Sequence, residues 1–177
     1  MKSQLLTCFW ILGIFVGGPA VAVPIVLESL TSPEAQTAIN YINNPAHHAA
    51  INPVCFYSGR TISTAGKPIN ARNLLYDTWH GPPRNCHYLK EIIMNAGIAN
   101  PGKIFTKDDW KEVSRTLAQQ VSGHVYVLLG QDVRADSVWL TDERDALKAN
   151  HAVTGVEVWE IHPDGSTTLT PKTKVTL

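Results

Sequence analysis

Trp110, Ser137, Trp139 and Glu143 are the residues of this chain whose types and spacing suit chemistry. Trp110 opens a helical pattern. Ser137-Val138-Trp139 follows the loop after an apolar strand pattern, and Glu143 comes four residues after Trp139. Tyr57 and Arg60 close another strand pattern, Phe56-Tyr57-Ser58-Gly59-Arg60. Flat aromatic faces hold rings and cations by stacking and cation–π attraction. A carboxylate in a shielded site steadies developing positive charge, and a planar guanidinium matches a phosphate. Each residue also has a plainer reading: Trp110 as a core aromatic, Glu143 as a solvated helix-start acid between Asp142 and Arg144, Arg60 as a surface cation. Trp79 reads as core, and His124 as a strand end. No Ser-His-Asp signature, phosphate-cradling loop or dinucleotide Gly-rich turn is present. His47-His48 invites a metal, yet two adjacent histidines do not easily face one ion, so no metal site is expected.

These residues need elements to hold them. Thr106-Lys107-Asp108-Asp109 is a capping box, and Trp110, Val113, Leu117 and Val121 then recur at spacings of three and four, which predicts an amphipathic helix ending at Gly123. His124 to Leu129 and Val156 to Ile161 read as strands, Val138 to Leu140 as a short strand, and Glu143 to Asn150 as a short helix. Upstream, Thr31 caps a helix with Pro33 in its first turn and Glu34 completing a capping box. Val54 to Ser58 is a strand, and Pro68 to Trp79 and Tyr88 to Ala96 are helices. Pro163-Asp164-Gly165 turns the chain into a polar, Thr-rich last segment. Strand–helix alternation with strands apolar on both faces predicts an α/β sheet domain behind a more helical N-terminal half.

The N-terminus has the parts of a secretory signal: Lys2, the apolar run Leu5 to Val16, the breakers Gly17-Gly18-Pro19, and Ala20-Val21-Ala22 as a small-x-small cleavage pattern. A membrane anchor is the alternative, but the run falls short of the roughly 20 residues a spanning helix needs. Cleavage after Ala22 leaves residues 23–177, a length suited to one domain. Lys+Arg and Asp+Glu are both 15, without a basic stripe, so nucleic acid is set aside as a partner. The mature chain should be extracellular, with no membrane partner after cleavage. Cys8 leaves with the signal. Cys55 and Cys86 then most simply form one disulfide, stabilising the fold by about 3 kcal/mol. A zinc site is the alternative, but Cys86-His87 lacks a second paired ligand motif.

The stretch Asp109-Trp110-Lys111-Glu112-Val113-Ser114-Arg115-Thr116-Leu117-Ala118, followed by Gly123-His124-Val125-Tyr126-Val127-Leu128-Leu129, resembles the ADP-ribosyl cyclase / NAD glycohydrolase family. Animal members carry Phe-Trp-Lys-x-Val-Ser-Arg-x-Phe-Ala, then a strand Val-x-Val-x-Leu, then Ser-x-Phe, three residues, a catalytic Glu, three residues and Leu. Here Ser137-Val138-Trp139, Glu143 and Leu147 keep that spacing, and Val156 to His162 is similar to the family's final core strand. Phe56 to Arg60 looks like the family's Leu-Trp-Ser-Arg strand end. Tyr88-Leu89-Lys90-Glu91 looks weakly like its Thr-Leu-Glu-Asp helix start. The chain departs from the family at Tyr57, which replaces the first active-site Trp, and at the acidic gate, which falls on Lys90 or Glu91. Most of the family's disulfides are absent, and these departures bear on the product ratio.

The resemblance implies a helical N-terminal half followed by a small, mainly parallel sheet flanked by helices, forming one catalytic domain over residues 23–177. It implies cleavage of the nicotinamide–ribose bond of NAD+, giving nicotinamide and ADP-ribose, with a cyclase branch in which the adenine is the acceptor. NAD+ is then the substrate, and no cofactor is needed. Glu143 becomes the catalytic carboxylate. Trp110 and Tyr57 hold the nicotinamide, Ser137, Trp139 and Arg60 bind toward the phosphates, and Glu91 is a candidate gate. Two rivals are a mono-ADP-ribosyltransferase, for which Arg60 could be the early-strand Arg but the Ser-Thr-Ser strand is missing, and a non-enzymatic secreted effector or binding module. Length, signal and single disulfide would suit a microbial toxin or effector. The sequence leaves oligomeric state open.

Overall fold

The computed structural model describes residues 31–170; the expected signal segment at 1–22 lies outside them. The chain begins with α1 (Pro33–Asn43), a short turn, and α2 (His48–Ile51), then enters β1 (Val54–Ser58). A hairpin of β2 (Arg60–Ile62) and β3 (Pro68–Asn70) leads into α3 (Ala71–Leu74), which widens into a π-type turn over Leu75–Trp79. Next come β4 (His87–Tyr88), α4 (Leu89–Asn95), α5 (Pro101–Ile104), α6 (Lys107–Gln120) and β5 (Gly123–Leu129). A second π-type turn, Trp139–Glu143, runs into α7 (Arg144–Ala149), and β6 (Val153–Ile161) and β7 (Thr167–Leu169) close the fold.

β4, β1, β5, β6 and β7 form a five-stranded sheet in that order. β1 is parallel to both β4 and β5, β5 is parallel to β6, and only β7 runs antiparallel. The protein is thus an α/β fold with helices interspersed among the strands. The expected split into a helical first half and a later sheet does not hold. β1, from the first half, lies inside the sheet and aligns Val54 with Val125 and Phe56 with Val127. Its run Val54-Cys55-Phe56 is buried throughout, as a strand covered on both faces must be.

The two faces are filled differently. On one, Phe56, Val125, Val127 and Val158 meet Ala38 and Ile42 of α1, Ile92 and Ile93 of α4, and Val113 and Leu117 of α6. On the other, Cys55, Leu128 and Ile161 meet Ala71, Leu75 and Trp79. Cys55 and Cys86 are joined in a disulfide, with Cα atoms 5.5 Å apart. No helix among the described residues is long and apolar enough to cross a membrane.

Three local expectations are corrected. Ser32 rather than Thr31 caps α1, its hydroxyl accepting from the Ala35 N–H at 3.1 Å. Pro68 to Asn70 is a strand, not helix: it pairs with β2, where Ile62 faces Pro68 at the hairpin's turn end. Val138 to Leu140 enters a helical turn because the Ser137 carbonyl accepts from the N–H groups of Leu140 and Thr141, at 3.1 and 3.0 Å. The β-forming side chains there misled, since backbone capping by Ser137 outweighs their propensity.

Candidate functional site

The sheet topology places a crevice at the carboxyl end of β1. The chain leaves β1 to reach β4 on one side and then crosses by α4, α5 and α6 to β5 on the other. Ligands of open α/β sheets sit where the connections diverge in this way. A cavity of about 470 Å³ opens there, lined by Phe56, Tyr57, Ser58, Asn70, Arg72, Trp110, Ser114, Val138, Trp139 and Glu143, with Cys55, Gly59 and Leu89 completing the wall.

Trp110 reaches the cavity from the first turn of α6. The Thr106 hydroxyl accepts from the Asp109 N–H at 3.1 Å, and Asp109 accepts from the Thr106 N–H at 2.9 Å, the reciprocal cap the sequence predicts. Asp109 also accepts from the Ser32 N–H at 2.8 Å, tying the start of α1 to the start of α6. Burial alone would raise the Asp109 carboxyl, but the hydrogen bonds from Ser32 and Thr106 outweigh it and hold it below its usual range. Trp110 is half-buried and meets Phe105 edge-on, with centroids 5.1 Å apart. One turn on, Ser114 lies on the same face of α6 and is buried.

Glu143 ends the second π-type turn and is 6% exposed. Ser114 donates its hydroxyl to Oε1, while Oε2 is buried with no hydrogen-bond partner among the described residues. Burial raises the carboxyl to about 7; the Ser114 hydrogen bond opposes that rise and the Asp142 charge adds to it. Its neighbour Asp142 behaves oppositely. Burial would raise it too, but hydrogen bonds from Thr141 and Arg115 prevail and keep it ionised. The Arg115–Asp142 ion pair fastens the turn to α6, fixing Glu143 beside Ser114. Two adjacent carboxylates thus have separate environments, one clamped to an arginine and one desolvated against a cavity. That contrast marks Glu143 as the candidate for charge work. A desolvated carboxylate with a free oxygen ionises when a cation arrives beside it, and then stabilises that cation strongly.

Tyr57 also lines the cavity. Its hydroxyl lies 2.8 Å from that of Tyr76, and the Tyr76 ring stacks on Tyr88 with centroids 4.3 Å apart. Burial, followed by the neighbouring Tyr76, pushes the Tyr57 phenol well above its ordinary value, so it stays neutral. Both π-type turns therefore deliver a side chain here, Glu143 directly and Tyr76 through Tyr57; such turns recur at functional sites.

The structure brings Trp110, Tyr57, Trp139 and Glu143 to the one cavity. Trp139 is 2% exposed and packs against Phe56, so it is wall more than contact surface. Ser137 and Arg60 line a smaller rim hollow of about 220 Å³ with Ser58, Gly59, Asn70, Asp132 and Arg134. Arg60 is exposed and paired with Asp132 at 3.1 Å. Glu91 lines none of these hollows; its carboxylate pairs with His87 at 3.0 Å. Lys90 instead faces a second lobe next to the cavity. His47 stacks on Tyr41, Trp79 is a core aromatic between Tyr126 and Trp159, and His124 pairs with Glu157 at 3.2 Å. Three cavity residues were not singled out from the sequence: Ser114, Arg72 and Asn70. Ser114 had a usable signal, since it lies four residues after Trp110 in a helix whose cap was legible.

Compared with protein-family models, with curated proteins and with solved structures, the chain matches none of them.

Proposed function

We propose that the protein is an exported NAD+ glycohydrolase that cleaves the nicotinamide–ribose bond to release nicotinamide and ADP-ribose, with a cyclase branch when the adenine replaces water. The observation that carries this reading is Glu143: buried, with Oε2 unpartnered, in a cavity walled by Trp110 and Tyr57. NAD+ brings a cationic ring on a ribose. Trp110 and Tyr57 supply flat faces for that ring. As the C1′–N bond breaks, its electron pair leaves with nicotinamide and positive charge builds at C1′. Glu143, ionised by the incoming cation, stabilises that charge, and water adds to C1′ with loss of one proton. Ser114 holds Glu143 in place through Oε1. Ser137 and Arg60 lie on the rim, where the Arg60 guanidinium is already paired with Asp132.

Incubating the mature protein with NAD+ and following free nicotinamide tests this directly. Nicotinamide should appear in an amount equal to the ADP-ribose and any cyclic product together, and Glu143→Gln should slow its release by roughly 10²–10³. Nicotinamide with ADP-ribose attached to an added protein would make it a mono-ADP-ribosyltransferase. No nicotinamide release at all would leave a non-enzymatic secreted effector.

A further inference from the structure

A second lobe of about 730 Å³ adjoins the cavity and shares Tyr57, Arg72 and Trp110 with it. Its remaining wall comes from Asn73, Tyr76, Lys90 and Met94 on one side and Ala99 to Lys103 on the other. Arg72, Lys90 and Lys103 are its charged groups, and no Asp or Glu lines it. None of the three forms an ion pair with a carboxylate among the described residues. Arg72 donates only to the neighbouring Asn73 amide oxygen, at 3.3 Å, and Lys90 lies 5.7 Å over the Tyr76 ring. The rim hollow differs: Arg60 is taken up by Asp132 and Arg134 by Asp136, at 3.1 and 2.7 Å. Glu91, the nearest acid in sequence to Lys90, is held by His87.

Like charges left unpaired around a concavity raise its potential and concentrate anions there. The Asn73 and Asn100 amides and the Tyr76 hydroxyl add neutral donors, which suits an oxygen-rich anion over a halide. We infer that this second lobe is a phosphate-binding site, built to take a phosphate or diphosphate group beside the Glu143 cavity. Lys90 and Lys103 supply the charge, and the shared wall of Tyr57, Arg72 and Trp110 couples its occupancy to that of the cavity. The group belongs either to the substrate that fills the cavity or to a separate phosphorylated ligand.

Calorimetric titration of the mature protein with inorganic pyrophosphate, without NAD+, tests the site whether or not the enzymatic reading holds. Pyrophosphate should bind at physiological ionic strength. The double charge reversal Lys90→Glu/Lys103→Glu should weaken it by about tenfold or more, the loss expected when a charge-assisted contact goes. Both side chains are exposed, so the melting temperature should stay put, and Lys90→Arg/Lys103→Arg should keep the affinity. Absent binding to the parent protein, equal binding to the double Glu variant, or loss through Arg60→Gln/Arg134→Gln instead would overturn the inference. Where pyrophosphate binds as expected, kinetics identify the source. Pyrophosphate competitive with NAD+, and a raised KM in Lys90→Gln/Lys103→Gln, assign the lobe to the substrate's own phosphate. Binding that persists with the cavity occupied, at unchanged KM, assigns it to a separate ligand.

Discussion

Glu143 concentrates the protein's testable chemistry. Its folded carboxyl titrates at about 7, against 4.5 for the ordinary side chain, and burial is the main cause. Catalysis through the ionised form should therefore rise as pH increases through about 7, seen in kcat/KM for nicotinamide release. Glu143→Gln keeps size and most hydrogen bonding but removes the charge, and should lower kcat by roughly 10²–10³. Ser114→Ala removes the Ser114 hydrogen bond that lowers the carboxyl and should move the pH midpoint further up. If the midpoint stays put, Ser114 does not position Glu143. Stability carries the opposite sign. Between pH 4.5 and about 7 the folded state binds more protons at Glu143 than the unfolded chain does, so its contribution is full below 4.5 and is lost as pH rises through 7. Glu143→Gln should thus stabilise the protein at pH 8 by up to about 3 kcal/mol, and the gain should shrink toward pH 5. Paired thermal melts at the two pH values check this.

Among the elements, α6 matters most, because one helix presents Trp110 and Ser114 to the cavity and Val113 and Leu117 to the core. Its position depends on Asp109, which caps its own helix and also receives the Ser32 N–H from α1. Asp109→Ala removes both contacts at a buried place and should cost about 2 kcal/mol, or roughly 6 °C in Tm. Trp110 should shift with the loosened helix, so KM for NAD+ should rise in step; a Tm loss with KM unchanged would separate the cap from the site. The rim depends on two glycines. Gly59 has φ +78°, and a Cβ on it would meet the Asp132 carbonyl oxygen at 2.6 Å; one on Gly130 would meet the Arg60 nitrogen at 2.3 Å. There the segments leaving β1 and β5 cross backbone to backbone, joined by the Arg60 N–H to the Asp132 carbonyl at 3.1 Å. Gly130→Ala cannot be relieved by a side-chain rotation and should destabilise the fold by about 1–3 kcal/mol, measured by denaturant unfolding.

At the level of the whole molecule, the Cys55–Cys86 disulfide joins β1 to the loop before β4 and closes a separation of 31 residues. Cys55 also lines the cavity. Reduction should lower Tm by roughly 10 °C on the chain-entropy account. Mass spectrometry of exported protein should find no free thiol at either position; two free thiols would remove the disulfide and weaken the case for an oxidising destination. The cavity draws on β1, α3, α6 and the second π-type turn, so no short piece of the chain should keep it.

Much of the scaffold was legible because it rests on bonds between close neighbours in the chain. The α6 cap joins residues three apart, the Trp110–Val113–Leu117 stripe repeats at helical spacing, and the apolar run of β1 announces a strand covered on both faces. The cysteine pair followed from counting. The site was partly legible too: Trp110, Tyr57, Trp139 and Glu143 were singled out, and all four line one cavity. The rest required distant segments to meet. The spacing from Ser137 and Trp139 points to Glu143, but the contrast between its environment and that of Asp142 arises because Arg115 reaches one and Ser114 the other, across 27 and 29 residues. Glu91 and Lys90 are adjacent, yet the turn of α4 sends one to His87 and the other toward the second lobe. Val138 to Leu140 has the side chains of a strand, but lies where Ser137 can start a helical turn and no neighbouring strand offers a ladder. Local hydrogen bonding and periodicity belong to the order of residues along the chain. Desolvation, and therefore the protonation of Glu143 and the sign of each lobe's potential, belongs to what surrounds a group once the chain has closed around it.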